Sequence, residues 1–362
     1  MFGELPKLFD RNFAVAYILP SAAFVGVTYL IVHRFGLSAG LISVSSDRFF
    51  KDLTAFGLLS LLGGVILLVT NRGVVRLLEG YWPLNLGARL NWLELWLFKK
   101  TREESLKSDE DIKSLRLSKK VVPRETQNQR NKVKAREANR FPSDERLVLP
   151  TSFGNIFRAF ESYPRVMYGI NAIPGWYRLL AVIPKDYREL IDSSRSTVDF
   201  WVNLSFLSLI VIVEFYLCAI LSGQISWAGI VSRSGQFPWI PVLGLLSFRI
   251  AYTFAKKAAG EWGNWVKSAF DLYLPDLRSM LEFAPATKEA ERLRWINFNI
   301  AVLTRRATRM PEKTRRRPEH PKTLESLYLE LLKLNDQERS LLLEAVLATK
   351  RPAEDVSNEK RQ

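Results

Sequence analysis

Four polar side chains stand in stretches that are otherwise greasy enough to lie in lipid. Asp199, Asn203 and Glu214 fall in "VDFWVNLSFLSLIVIVEFYLCAIL" (198–221), and Arg249 interrupts "WIPVLGLLSFRIAYTFA" (239–255). An ionised group at the centre of a bilayer costs at least roughly 2.5–3.5 kcal/mol, so such groups face a partner, a bundle interior or water. Acid, amide and guanidinium on neighbouring helices could lock those helices together, form an inner gate or line an ion pathway. Helix rise puts Glu214 about 24 Å from the inner end of its segment at Val198 and Arg249 about 9 Å from its own at Ala255. That difference in depth, about 15 Å, forbids a direct pair. Arg249 lies instead near the level of Asn203 and can snorkel to Asp199, an ion pair that would tie the two helices. Glu214 reaches the level of Thr28, Tyr29 and Ser60. There it is an interfacial carboxylate in contact with outer water, or part of a cation-attracting ring if the chain oligomerises around this span.

Little else in the chain suggests chemistry. It has no phosphate-cradling glycine loop, no nucleophile elbow and no carboxylate pair in a recognisable setting. Asp271 and Asp276 are close in sequence but lack a base or metal partner. His33 and His320 are far apart, and Cys218 is the single cysteine. A metal cluster and an internal disulfide are thereby excluded, and Cys218 reads as apolar filler. The expectation is a non-enzymatic protein without cofactor or metal.

The elements that position these residues are membrane spans. Of 362 residues 48% are hydrophobic and 25% charged, with a net charge of +15, but the apolar ones collect in four blocks and the charges between them. "FAVAYILPSAAFVGVTYLIVH" (13–33) has no charge before His33 and should be kinked, not ended, by Pro20. Acidic residues precede it and "GLSAG" is a poor cleavage site, so it reads as a retained anchor, not a signal peptide. "AFGLLSLLGGVILLVT" (55–70) is short and can borrow Leu53 and Val74–Leu78. The segments 198–221 and 239–255 complete the set. Lys and Arg are sparse in 34–53 and 222–238 and dense in 71–197, with Lys256 and Lys257 closing the fourth span. Both termini are therefore expected on the cytoplasmic side.

The fold class expected is an all-α integral membrane protein with four transmembrane helices, a helical amphipathic cytoplasmic cap and a C-terminal αα-hairpin. Residues 1–98 hold the first pair of spans and an interfacial helix at 84–98 carrying Trp92 and Trp96. Residues 99–146 are a charged linker with some helix; no aromatic lies between Phe98 and Phe141 to stack a base, so nucleic acid is not an expected ligand. In the cap, 147–197, Ser152 should start a helix over 153–162, aromatics alternate with Arg158, Arg165, Arg178 and Arg188, and Pro184 fits the first turn of a helix continuous with the third span. The second pair of spans and a following helix occupy 198–283, with Pro275 bending or ending that helix. A basic linker, 284–322, contains Arg315, Arg316 and Arg317; the hairpin is 323–350 and a disordered tail 351–362.

The stretches "LPTSFGN…YGINA" (149–155 and 168–172), "RLLEGYW" (76–82) and "WVKSAFDLY" (265–273) give a resemblance over roughly residues 10 to 285. The chain resembles a family of uncharacterised bacterial multi-span membrane proteins. That resemblance implies a bacterial inner-membrane protein and implies no chemistry; where the family pattern carries an acid, this chain has Asn171.

Partners follow from charge and packing. Trp92, Trp96, Arg158, Arg165, Trp176, Arg178, Arg188 and Arg315–Arg317 are the candidate contacts to anionic headgroups or to a partner. The hairpin 323–350 is a candidate docking element for a cytosolic protein. Small residues four apart, Ala251/Ala255/Ala259, Ala22/Gly26 and Ser60/Gly64, suit either internal packing or a homo-oligomer. The function expected is binding of a partner or anionic lipid through cap and hairpin. The alternative is an oligomeric ion channel or membrane-permeabilising effector built on the third span.

Overall fold

The computed structural model describes residues 10–35, 37, 49–82, 86–118, 121–222, 239–283 and 287–304. The basic triplet Arg315–Arg317, the hairpin 323–350 and the tail 351–362 lie outside the described residues. Among the described residues every regular element is helical. Three helices are long and apolar enough to cross a membrane: Arg11–His33, Leu53–Glu79 and Lys185–Leu221.

The first of these, α1, consists of Arg11–Phe13, a π-helical turn Ala14–Ile18 and Leu19–Arg34. Its irregularity has a covalent cause. Pro20 has no N–H to give to the Ala16 carbonyl four residues back, and its ring crowds that carbonyl. Asn203 supplies the missing donor, its Nδ2 lying 2.9 Å from Ala16 O, and both residues are buried. Proline therefore neither ends nor simply kinks this helix. It widens one turn and creates an acceptor that a second helix fills.

Helix α2 is Phe49–Glu79 and shows Leu58, Leu62, Ile66 and Val69 on its outer surface, a face that suits lipid rather than water. Gly64 lies against Ile18 of α1, so this small residue serves packing within the chain. A short helix α3, Leu86–Leu90, leads to α4, Trp92–Leu117, and α5, Arg124–Arg140. The segment 99–146, expected as a charged linker, is thus mostly a pair of polar helices packed on each other. Charge holds it: Asp109 pairs with Arg130 and, at 2.6 Å, with Lys134. Phe98 against Phe141 closes the other end.

The cap contains α6, Ser152–Tyr168, and α7, Ala172–Leu179. Its cap residue is Thr151, not Ser152, and the helix runs on past 162 to Tyr168, ending at Gly169 with φ +81°. Helix α8, Lys185–Leu221, begins after Pro184 and runs unbroken from cap into the third span. Helix α9, Trp239–Met280, joins the expected fourth span to the helix after it, with Pro275 inside. Neighbours run in opposite order along α8 and α9: Trp201 stacks on Phe254, and the Ser208 and Ser247 hydroxyls are 2.9 Å apart. Ala251, Ala255 and Ala259 are completely buried. That stripe is used inside the chain.

The basic linker expected from 284 contains α10, Lys288–Thr304. Trp295 and Phe298 enter the main core, and Asn299 donates to Gly169 O while accepting from Asn171 N. Asn171 is thus one partner in the dock that holds α10.

Candidate functional site

Where α2 ends, the cap must deal with carbonyls that have no helical donor. Thr151 Oγ1 donates to Leu78 O at 2.8 Å while accepting from Gly154 N, and Trp82 Nε1 donates to Leu77 O at 2.8 Å. Gly154 presses so closely on the Glu79 carbonyl that a Cβ there would overlap it. Beside this seam Glu94 is buried, accepting from Ser152 Oγ at 2.7 Å and Asn155 Nδ2 at 3.1 Å. The stretches "RLLEGYW" and "LPTSFGN" therefore meet as one joint between span and cap. Its consequence is to fix Glu79 and its neighbours at the rim of a cavity.

That cavity has a volume of about 500 Å³ and lies between α1, α2, α6, α8 and α9. Arg72, Arg76, Arg158, Arg195, Glu79 and Glu161 supply its charges, and Tyr17, Asn71, Tyr81 and Trp262 its neutral polar groups. Arg158 donates to Glu161 at 3.2 Å and to the Tyr81 hydroxyl. Burial pushes Glu161 above the ordinary carboxylate value, with Arg158 pulling the other way. Arg195 lies over the Trp262 ring at 4.7 Å and the Phe157 ring at 5.8 Å. Its Nε is 3.1 Å from Asp199 Oδ1, an ion pair without a hydrogen bond.

Among the described residues Arg72, Arg76 and Glu79 have no ion-pair partner. Trp262 Nε1 and Asn71 Oδ1 are buried without a hydrogen-bond partner. Orphaned buried donors and acceptors are uncommon, and these two belong to residues that line one cavity. Leu68 and Val69, both exposed apolar residues of α2, line the same cavity. One wall is therefore continuous with the greasy surface of the span.

Below the cavity a short relay ties three spans. Asn71 Nδ2 donates to the Tyr17 hydroxyl at 3.1 Å, and that hydroxyl donates to Asp199 Oδ2 at 3.1 Å. The Asp199–Arg249 pair expected from depth does not form. Arg195, one turn earlier on the same helix, is the nearer cation, whereas Arg249 is exposed. Glu214 accepts from Thr28 Oγ1 at 2.9 Å, a contact to α1 within the chain.

The other candidate contacts scatter. Trp92 and Trp96 are exposed on α4, Arg165 is exposed on α6, and Trp176 packs on Phe270. Arg178 lies over Phe298 and donates to Pro174 O. Arg188 donates to Leu180 O and Ile183 O, bracing the turn before α8. Arg158 alone of that set lines the cavity. Asp271, expected without a partner, accepts from Tyr163 and from Tyr168 at 2.6 Å, and burial with that carboxylate raises both phenols above their usual value.

Arg72, Arg76, Glu79, Glu161 and Arg195 were missed as site residues. A signal existed. Arg72, Arg76 and Glu79 recur at four and three residues, and Arg195, Asp199 and Asn203 at four and four, each on one helix face. Compared with known proteins, the chain matches no family model, no curated protein and no solved structure.

Proposed function

We propose that the chain is a non-enzymatic polytopic inner-membrane protein of bacterial type, with four spans and both termini cytoplasmic, whose cap holds an anionic phospholipid headgroup at the inner leaflet. The observation that carries this reading is the cavity in which two unpaired guanidiniums, Arg72 and Arg76, stand beside the exposed Leu68 and Val69. A phosphate between the arginines would leave its acyl chains against α2, which is how a lipid, and not a soluble anion, approaches. The antiparallel course of α8 and α9 supports a fourth span, since the stretch from Trp239 to Ala255 lies alongside the apolar part of α8. Arg249 and Lys256 lower its apolarity, and their long side chains reach toward the interface. The density of Lys and Arg on the cap side supports the cytoplasmic placement of both termini.

Native mass spectrometry of the detergent-purified protein tests the reading. The wild-type protein should retain phospholipid, and Arg72→Gln/Arg76→Gln should lose most of it while melting at the wild-type temperature. Equal retention by the two proteins would show that the cavity holds no headgroup.

A further inference from the structure

The cavity carries more information than its positive charge, and resting on the headgroup reading we infer that its ligand is an anionic phosphodiester lipid whose head bears hydroxyl groups, of the phosphatidylglycerol type. Charge gives the first argument. With Arg158 paired to Glu161 and Arg195 to Asp199, what faces the space is two guanidiniums and one carboxylate, Arg72, Arg76 and Glu79. A phosphodiester with one negative charge offsets the surplus positive charge of that set. A zwitterionic head would leave that surplus positive charge uncompensated.

Hydrogen bonding gives the second, independent argument. Trp262 and Asn71 line the cavity, and each has a buried polar atom without a partner, Nε1 a donor and Oδ1 an acceptor, which a head reaches by displacing the side chains that cover them; the Glu79 carboxylate is a further acceptor. Hydroxyls donate and accept, so a polyol head can satisfy all three. A bare phosphate monoester offers mainly acceptor oxygens and would set them against Glu79 and Asn71. An ammonium donates only and does nothing for the indole N–H. The third argument is size: a space of about 500 Å³ exceeds what one phosphate fills, leaving room for a head beyond it.

The test uses the full chain in nanodiscs of phosphatidylcholine, each doped with phosphatidylglycerol, phosphatidic acid or phosphatidylethanolamine, with the retained lipid counted by native mass spectrometry. Phosphatidylglycerol should be enriched about tenfold over each of the others, the worth of roughly one charge-assisted hydrogen bond. Glu79→Gln should cut the preference over phosphatidic acid while leaving total anionic lipid unchanged. Trp262→Phe, which keeps the ring under Arg195, should weaken phosphatidylglycerol selectively, and guards against a Glu79 variant that misfolds. Equal enrichment of phosphatidylglycerol and phosphatidic acid, unaltered by either variant, overturns this inference and leaves the headgroup reading standing. Loss of enrichment for every lipid overturns both. Soluble glycerol 1-phosphate that displaces the lipid at equal concentration overturns the lipid source.

Discussion

Replacing Asn203 tests the physical centre of the spans. Pro20 deprives the Ala16 carbonyl of its helical donor, and the Asn203 amide takes over at 2.9 Å with both residues buried. Asn203→Leu removes that donor at nearly constant volume. An unsatisfied buried carbonyl costs about 1–3 kcal/mol in soluble proteins. Interhelical hydrogen bonds in membranes average about 0.6 kcal/mol and reach about 1.7. Asn203 Oδ1 is itself buried without a partner, so leucine also relieves one unmet acceptor. The net loss should therefore be near the lower figure, about 1 kcal/mol. A double-mutant cycle separates this bond from other effects of the substitution. In a Pro20→Ala background residue 20 regains an N–H that can reach Ala16 O, so Asn203→Leu should become almost neutral, with a coupling of about 1 kcal/mol. Unfolding by rising dodecyl sulfate fraction in mixed micelles gives the four free energies. If the two substitutions add within error, the carbonyl was never the reason for the asparagine.

Three further outcomes follow. Gly154→Ala drives a methyl into the Glu79 carbonyl and within 2.9 Å of Leu149 Cδ1, so it should cost about 1–3 kcal/mol and expose the cap to protease before the spans; an unchanged digestion pattern would argue against the joint. Burial raises Glu161 above its usual 4.5, so its stabilising contribution is complete below that pH and is lost as pH rises through the raised value. Glu161→Gln should flatten this decline in melting temperature, and parallel curves for the two proteins would contradict it. Glu214→Gln keeps an acceptor for Thr28, so ion flux in liposomes should match the wild type; a lost conductance would instead favour the channel.

How far the sequence revealed the architecture depended on what holds each element. A span is driven by bulk apolarity, and the runs beginning near Phe13, Leu53 and Val198 are visible without knowing their neighbours. Helices α4 and α5 are held by Asp109 with Arg130 and Lys134 and by one aromatic contact, so no hydrophobic period betrays them. Helix α10 hid in basic composition, although Trp295 and Phe298, three apart, were a legible stripe. The site failed in a particular way. Depth along the helices chose the wrong cation for Asp199, because a side chain one turn away on the same helix competes at far lower cost than one from a neighbour. Arg195 wins over Arg249 for that reason.

The polar groups among the spans divide into two kinds, and the division is what makes the cavity more than a packing defect. Asn203, Tyr17 and Asp199 meet partners from other spans, and Glu214 meets Thr28, so each offsets part of its own cost of burial and locks helices together. Arg72, Arg76 and Glu79 have no ion-pair partner among the described residues, Arg76 lying over the Tyr81 ring at 5.7 Å, although Arg158 and Glu161, lining the same cavity, pair with each other. Rearranging rotamers could not mend this, since two guanidiniums face a single carboxylate. On the proposed headgroup reading, a set with more guanidinium than carboxylate beside the exposed Leu68 and Val69 supplies the field that attracts an anion.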